Sequence, residues 1–495
     1  MHDVAIVGAG FAGLGMGMAL RDAGRDDFVI LERGDAVGGT WRDNTYPGVA
    51  CDVPSHLYGF ERHPNPAWSG VYAGGGEIRD YLEQVAARDG LTPHLRLRTP
   101  LLSAAWAGDR WRLETGGPNP DVTEARSLVL ACGRLTEPRI PDIRGLETFA
   151  GPIFHTARWD HTVPLAGRRI AVVGTGASAV QLVPELVRRG ARVTLFQRTP
   201  AWIVPRGARP YTDAERERFA QHPELLSALR DDLFREGEAR FASRSGDAAA
   251  AAAARAQALA HLHAQVADPG LRAALTPAYA FGCKRVLLSD DFYPAVASDA
   301  VTLEASALAA VEDGVLVAAS GARHTADVLV LATGFASSQQ PYAETVFGEH
   351  ESLAHHWSGG MTSFASTVVA GFPNLFVLNG PNASLGHNSA VLMAEAQAAY
   401  VVRTLAERDR RGGVLRVRPE AEKAYTARID EAAASTPWIT GGCDNWYVDD
   451  RSGRLTLLWP GTVDAFRAML EACRGDEFAA ATEEPRDPTR ARGES

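Results

Sequence analysis

Two glycine-rich segments of this chain have the residue types and spacing that bring a backbone close to phosphate groups. They are Gly8-Ala9-Gly10-Phe11-Ala12-Gly13 and Gly174-Thr175-Gly176-Ala177-Ser178-Ala179. In a GxGxxG turn the first glycine permits a tight bend, and the second lets the backbone approach a pyrophosphate. The third allows a helix to pack on a strand, and alanine is small enough for that position. Because the following helix N-terminus attracts phosphate charge, the two segments predict two dinucleotide sites.

Each glycine turn follows a short run of buried-strand character. The first follows Val4-Ala5-Ile6-Val7 and the second follows Ile170-Ala171-Val172-Val173, both continuously apolar as buried parallel strands are. A run of helical length and a second strand pattern come after each turn, which completes a βαβ unit. We therefore predict an α/β fold with two Rossmann-like dinucleotide-binding domains.

The strand patterns also predict the domain boundaries. Residues 1–145 and 336–475 are expected to form one discontinuous domain, and residues 146–335 the other. An alanine-rich stretch at about 210–275 indicates a helical insertion in the second domain. The tail, residues 476–495, is charged and poor in large apolar residues, so we expect it to be disordered.

The residue at the end of the second strand distinguishes the two dinucleotides. In the first unit this residue is Glu32, near the ~20-residue offset at which an acid reaches a ribose hydroxyl, and it would repel a 2′-phosphate. In the second unit Arg198 and Thr199 stand there instead, which suits the 2′-phosphate of NADPH. The first site is thus predicted to take FAD or NAD. The second is predicted to take NADPH rather than NADH, unless Arg198 is only a surface arginine.

Further motifs resemble those of known flavoenzymes. The segments Gly38-Gly39-Thr40-Trp41 and Tyr46-Pro47-Gly48-Val49-Ala50-Cys51-Asp52 resemble the stretch by which flavin-containing monooxygenases enclose FAD. Between the two glycine turns, residues 149–160 match the fingerprint FxGxxxHxxxW followed by Pro or Asp. That fingerprint is typical of type I Baeyer–Villiger monooxygenases, and the resemblance runs from Val4 to about Leu470. By this resemblance the chain is identified as a member of that family, with FAD in the first site.

The resemblance implies a reaction. NADPH would reduce FAD, O2 would form a peroxide at flavin C4a, and one oxygen atom would enter beside the carbonyl of a small hydrophobic ketone to give an ester or lactone. It implies that Arg285 stabilises the peroxide anion, that Asp52 holds Arg285, and that Lys284 assists with the 2′-phosphate. A permanent cation suits this role because arginine stays protonated. Without the resemblance, Lys284 and Arg285 would be interpreted as a surface dibasic pair and Asp52 as a solvated loop acid. The fingerprint histidine, His155, is assigned no proton transfer.

The residues expected to contact the cofactors form two sets. The FAD set is Gly8, Gly10, Phe11, Ala12, Gly13, Glu32, Arg33, Gly39, Thr40, Trp41, Asp52, Tyr58, Leu101, Asn388 and Ala390. The NADP set is Gly174, Thr175, Gly176, Ala177, Ser178, Gln181, Arg198, Thr199, Lys284, Arg285 and Trp446. Trp446 resembles a tryptophan that closes over nicotinamide and substrate. The sequence after it departs from the best-known cyclic-ketone members, which leaves the substrate open.

Three other functions remain as alternatives. The first is oxidation of amines or sulfides, as in the flavin-containing monooxygenases proper. The second is a flavin disulfide reductase, which would need a redox-active cysteine pair, and the sequence has no CxxC or CxxxxC. The third is a non-catalytic FAD-binding module, which the intact nicotinamide site opposes.

Net charge, cysteine spacing and the lack of long apolar runs limit the binding partners and the cellular location that we expect. A net charge of −10 argues against nucleic acid. The five cysteines are scattered, so we expect neither a disulfide framework nor a zinc site or other metal, and their pattern fits a reducing cytosol. No export signal or charge-free apolar run of ~18 residues is present, which predicts a cytoplasmic protein away from membranes. The oligomeric state stays open.

Overall fold

The computed structural model describes residues 1–479. The strands are β1 His2–Val7, β2 Phe28–Leu31, β3 Leu95–Arg96, β4 Leu101–Trp106, β5 Trp111–Thr115, β6 Asp121–Leu130, β7 Ile153–His155, β8 Arg169–Val173, β9 Arg192–Phe196, β10 Ile203–Val204, β11 Leu287–Leu288, β12 Val301–Glu304, β13 Leu308–Glu312, β14 Val315–Ala318, β15 Arg323–His324, β16 Val328–Leu331, β17 Val346–Phe347 and β18 Leu375–Val377. The α-helices are α1 Phe11–Asp22, α2 Thr40–Asp43, α3 Gly75–Arg88, α4 Ala177–Arg188, α5 Asp213–Gln221, α6 Pro223–Ala239, α7 Ala248–Gln265, α8 Pro269–Leu275, α9 Phe292–Val296, α10 Leu353–His356, α11 Ala390–Arg410, α12 Pro419–Ala433, α13 Pro437–Thr440 and α14 Val463–Ala472. Short 3-10 helices cover Thr92–His94, Leu146–Thr148, Thr156–Arg158, Ala242–Arg244 and Pro341–Thr345.

The larger sheet has eight strands in the order β17-β4-β5-β6-β1-β2-β3, with β18 also pairing with β6. Strand β1 lies between β2 and β6 and runs parallel to both. Val4 and Ile6 on β1 are fully buried, as the continuous apolar pattern predicts. Helix α1 returns along this sheet and packs against α11. The strands come from two parts of the chain, residues 2–130 and 346–377.

The second sheet is wholly parallel, with five strands in the order β12-β9-β8-β16-β7. A separate antiparallel sheet is formed by β13, β14 and β15. Residues 213–275 contain the four helices α5 to α8, where the helical insertion was predicted. The predicted α/β class with two Rossmann-like units is confirmed, while the exact domain boundaries stay predictions. No helix within residues 1–479 is long and apolar enough to cross a bilayer.

The first residue of each glycine turn has a backbone conformation that only glycine readily adopts. Gly8 and Gly174 have φ of +106° and +108°, a conformation that L side chains rarely adopt. A Cβ atom would also lie 2.4 Å from the carbonyl oxygen of Ala131 at Gly8, and 2.5 Å from that of Ala332 at Gly174. The two chain segments can therefore pass this closely only without side chains at these positions.

The structure corrects the interpretation of the cysteines. Cys283 and Cys443, 160 residues apart in sequence, are joined by a disulfide, whereas Cys51, Cys132 and Cys473 are free. Local spacing motifs such as CxxC carry no information about a pair that the tertiary fold brings together. The absence of such motifs therefore did not exclude this bond.

The start of the C-terminal tail also differs from the prediction. Residues 475–479 pack on the domain: Phe478 is buried, and the Ala479 N–H donates to the carbonyl oxygen of Arg416. A single large apolar residue thus gives this segment a contact that the average composition of the tail conceals. The rest of the predicted disordered tail lies outside the described residues.

Candidate active site

Residues of both main sheets line a cavity of about 1780 Å³. Its walls include the last residues of parallel strands from both sheets, such as Val7 and Leu31 in one and Val173 and Phe196 in the other. Ligands of open α/β sheets bind at this end of the strands. Every residue of the two predicted cofactor sets lines this cavity except Gly13, which lies beneath the first turn.

In the first glycine turn, packing within the protein requires glycine at one position but not at another. A Cβ at Gly13 would lie 1.8 Å from the carbonyl oxygen of Gly8, so this glycine serves the contact between helix and strand. A Cβ at Gly10 would meet nothing closer than the Cα of Gly39, at 3.7 Å, which is an ordinary contact. Because the protein itself does not need glycine at position 10, the turn fits a ligand that approaches the backbone there.

Glu32 is held by hydrogen bonds at the rim of this turn. Its carboxylate is buried and accepts hydrogen bonds from the backbone N–H groups of Ala9 (2.9 Å) and Gly34 (2.7 Å). Arg42 donates a third from Nη1 at 2.7 Å and neutralises the charge. A carboxylate has about four acceptor positions, so one remains for a ribose hydroxyl. Arg33, at the cavity wall, pairs with Glu137.

Aromatic side chains form a wall beyond the first turn. The ring of Tyr58 lies 5.0 Å from Phe11 and 5.6 Å from Trp41, edge to face in both pairs. Trp41 Nε1 also donates to the Tyr58 hydroxyl at 3.3 Å. Leu101 and Thr40 also line the cavity. Flat apolar surfaces of this kind suit a planar ring system.

The second glycine turn repeats the first one's arrangement. A Cβ at Gly176 would meet no atom within 4 Å, so this glycine, like Gly10, is not required by packing. The Thr175 hydroxyl donates to the carbonyl oxygen of Thr199 at 2.9 Å and so joins the turn to the segment that follows β9. Ala177 and Ser178 complete the helix start.

Gln181 joins the two units instead of projecting freely into the cavity. Its Nε2 donates to the carbonyl oxygen of Ala50 at 2.9 Å, and its Oε1 accepts from the Tyr46 hydroxyl at 2.7 Å. Gly48 approaches the same helix so closely that a Cβ would lie 2.8 Å from the Gln181 carbonyl oxygen. The segment predicted to enclose FAD therefore packs directly on helix α4 of the second unit.

Two cations lie together beside the second turn. Burial lowers the pKa of Lys284, and the nearby positive charge of Arg198 lowers it further. The Lys284 ammonium lies 5.3 Å from the ring centre of Tyr279, and Arg198 is exposed. The two positive charges repel each other, and an anion bound between them, such as a 2′-phosphate, would offset that repulsion.

The predicted contact between Asp52 and Arg285 is present, whereas the catalytic roles of both residues stay predictions. Arg285 donates from Nε at 3.0 Å and from Nη2 at 2.7 Å, both to Asp52 Oδ2. The negative charge of Asp52 raises the pKa of Arg285, which outweighs the opposing effect of burial. Both side chains line the cavity, so it has a permanent, fixed positive charge in its wall.

The predicted site residues from the C-terminal part of the chain, Asn388, Ala390 and Trp446, make different contacts. Trp446 lines the cavity with its ring centre 4.4 Å from that of Tyr447. Asn388 directs its amide Nδ2 at helix α6, donating to Phe234 O (3.2 Å) and Glu238 Oε1 (2.9 Å). Ala390 begins helix α11 at the cavity wall. The Asn388 side chain thus connects the helical insertion to the first unit.

The fingerprint histidine lies outside the cavity wall. His155 ends β7 beside Leu331 of β16, and its Nδ1 accepts from the Ala157 N–H at 3.1 Å. Burial lowers its pKa to about 4, so the imidazole is neutral at neutral pH. This position at a chain crossing agrees with a structural role.

Sequence reasoning missed three residues in the site region, Arg134, Arg244 and Tyr447. Arg134 lines the cavity four residues after the end of β6, and burial, together with the charge of Arg285, lowers its pKa to about 10. Burial also lowers the pKa of Arg244 to about 10, and it raises the pKa of the Tyr447 phenol. The position of Arg134 was a usable signal, because residues that follow parallel strands lie at the ligand-binding edge of a sheet.

Comparison with known proteins gives matches over nearly the whole chain. Residues 5–225 match the family model described as pyridine nucleotide-disulphide oxidoreductase. A Baeyer–Villiger monooxygenase of Streptomyces coelicolor is 45% identical over 471 residues, covering 94% of this chain and 90% of the relative. A solved oxidized steroid monooxygenase bound to NADP is similar at 30% identity, with a TM-score of 0.84 over 97% of this chain and 99% of that one. The OTEMO complex with FAD and NADP gives a TM-score of 0.83 at 25% identity, with the same coverage.

Proposed function

This chain belongs to the Baeyer–Villiger monooxygenases, and we propose that it inserts one oxygen atom of O2 beside the carbonyl of a small, largely apolar ketone. The product is an ester or lactone, and the cofactors are FAD and NADPH. The observation that carries the proposal is the Arg285–Asp52 pair in the wall of a cavity that both glycine turns share.

The chain's own residues divide the cavity between the cofactors. The open position at Gly10, the remaining acceptor of Glu32 and the aromatic wall of Phe11, Trp41 and Tyr58 support FAD at the first turn. The open position at Gly176 supports NADPH at the second. When bound, FAD supplies the redox chemistry, taking a hydride from NADPH and passing electrons to O2.

Arg198 and Lys284 then select NADPH over NADH through its 2′-phosphate. Both line the cavity on the side of the second turn, and the pKa of Lys284 responds to the charge of Arg198. Trp446 also lines the cavity, and its indole limits the access of water to the reacting groups.

Arg285 holds a positive charge where negative charge develops on oxygen. Its guanidinium cannot lose its proton, because Asp52 raises its pKa, and two hydrogen bonds fix its orientation. A charge oriented in advance stabilises an anion without a cost of reorganisation at the moment of reaction. This favours attack by an oxygen anion on a carbonyl carbon over the heteroatom oxidation considered as an alternative.

The disulfide does not support the alternative of a flavin disulfide reductase. That reaction needs a cysteine pair in contact with the flavin, yet neither Cys283 nor Cys443 lines the cavity, although their neighbours Lys284 and Asp444 do. The pair lies behind the wall, where it connects two of its segments. A cytoplasmic location and the absence of macromolecular partners stay predictions from the sequence.

The test is oxygen-dependent consumption of NADPH across a panel of ketones, with mass spectrometry of the products. We expect esters or lactones heavier than the ketone by one oxygen atom, and incorporation of label from isotopically labelled O2. Amines and sulfides in the same panel test the alternative. If they are oxidised while every ketone is returned unchanged, the proposed function is wrong.

A further inference from the structure

Arg134 differs from the other arginines that line the cavity. Arg33, Arg42 and Arg285 form ion pairs with carboxylates, and Arg139 and Arg198 are exposed. The side chain of Arg134 is partly buried, and it forms no hydrogen bond or ion pair with any residue in the described part of the chain. Its Nε is shielded from solvent and has no acceptor, whereas its two terminal nitrogens keep some exposure at the cavity wall and can donate to a ligand.

The surroundings of Arg134 contain more positive than negative charge. The positive charges of Arg285, Arg244 and Arg134 all oppose the rise in the pKa of the Tyr447 phenol that burial causes. The negative charge of Asp52 also acts on this phenol, and Asp52 already accepts two hydrogen bonds from Arg285. Arg244 is buried and donates to the carbonyl oxygen of Arg240, which supplies no negative charge.

A guanidinium that is partly withdrawn from water and has no acceptor in the protein is unfavourable, and proteins retain such a group where a ligand supplies the acceptor. The dinucleotide phosphates do not meet this need, because they are expected at the glycine turns and between Arg198 and Lys284. The electrostatic neighbours of Arg134 are Tyr58, Tyr447 and Arg285, the residues around the proposed site of oxygen transfer. An anion that enters with the substrate would supply the acceptor that Arg134 lacks.

We propose that Arg134 binds a carboxylate on the substrate, so that the preferred ketones are keto acids with an apolar chain between the two groups. This inference rests on the proposed function, since it places the ketone carbonyl near Arg285. A guanidinium is suited to the role because its planar fork matches the two oxygens of a carboxylate. The pKa of Arg134, lowered to about 10, still leaves it protonated at neutral pH.

The experiment compares each keto acid with its own methyl ester in the holoenzyme, over a series of chain lengths. We expect the wild-type enzyme to prefer the acid, and Arg134→Leu to lower kcat/KM for the acid about 10- to 100-fold, mainly through KM. The ester should change by no more than about twofold. Arg134→Lys should recover part of the loss, and Arg139→Leu, at an exposed arginine of the same cavity, controls for the change in net charge.

Separate measurements distinguish the ways in which the inference can fail. The FAD content and the rate of flavin reduction by NADPH should be the same in Arg134→Leu as in the wild type. Loss of FAD would assign Arg134 to the flavin, and equal losses for acid and ester would assign it a structural role; either result overturns the inference. If no ketone is oxygenated, the proposed function fails. The contact with Arg134 is then still tested by binding of the keto acid to the wild type and to Arg134→Leu, measured through the absorption change of the bound flavin.

Discussion

Replacing Arg285 and Asp52, singly and together, tests whether these residues act as one unit in oxygen transfer. Arg285→Ala removes the fixed cation from the cavity wall. Losing one oriented charge at a developing anion costs about 3–4 kcal/mol, so we expect kcat for ester formation to fall by about 10²–10³. Flavin reduction by NADPH should persist, because hydride transfer depends on the stacking of two rings and not on this charge.

Asp52→Asn should have a smaller effect. The substitution keeps an oxygen acceptor beside Arg285, where the present distances are 3.0 and 2.7 Å, but it removes the charge that strengthens both hydrogen bonds. Both side chains are partly exposed, Arg285 by 30% and Asp52 by 23%, so solvent weakens the pair's attraction. The difference between a charged and a neutral hydrogen bond is about 1–1.5 kcal/mol, which corresponds to a loss of about tenfold.

The double variant decides whether Asp52 acts through Arg285. If it does, Asp52→Asn adds nothing once Arg285 is alanine, and the double variant equals Arg285→Ala. Stopped-flow measurement of flavin reduction, followed by product analysis, separates the two half-reactions. An Arg285→Ala enzyme that forms ester at the wild-type rate would remove this residue from the reaction. An undiminished effect of Asp52→Asn in the double variant would show that Asp52 acts independently.

Three further predictions concern the cofactors and the disulfide. Gly10→Ala should fold as stably as the wild type but lose FAD, because the added Cβ would occupy space needed by the dinucleotide without a close contact to the protein. Gly359→Ala, where a Cβ also meets no atom within 4 Å, is the control. Full FAD content in Gly10→Ala would contradict the assignment of the first glycine turn to FAD. Arg198→Ala should raise KM for NADPH about tenfold or more and leave NADH nearly unchanged; equal losses with both would exclude a phosphate contact. Thiol titration of the unfolded protein should give three thiols before reduction and five after it. Cys283→Ser should lower the free energy of unfolding by up to about 5 kcal/mol, because the bond to Cys443 closes a loop of 160 residues. Five thiols before reduction would refute the disulfide.

The sequence by itself determined the fold class and the family. Both follow from contiguous patterns: a glycine such as Gly8 is needed because of its own backbone angle, and apolar strands such as β1 are continuous because both faces are buried. Glu32 and Arg198, each at a fixed position in its own βαβ unit, both line the cavity. Strand, turn and helix are close in sequence, so their geometry places these side chains without help from the rest of the chain.

Only the tertiary structure decided which distant residues meet. No spacing rule joins Cys283 to Cys443 or directs Asn388 at helix α6, since each contact depends on how separate elements pack. The contact between Asp52 and Arg285 was expected only by resemblance, and the surplus of positive charge around Arg134 was not expected at all. Charge balance in a buried region is a property of everything that surrounds it, and residues more than a hundred positions apart contribute to it here. A sequence pattern describes neighbours along the chain, whereas the desolvation and pairing of charges depend on neighbours in space.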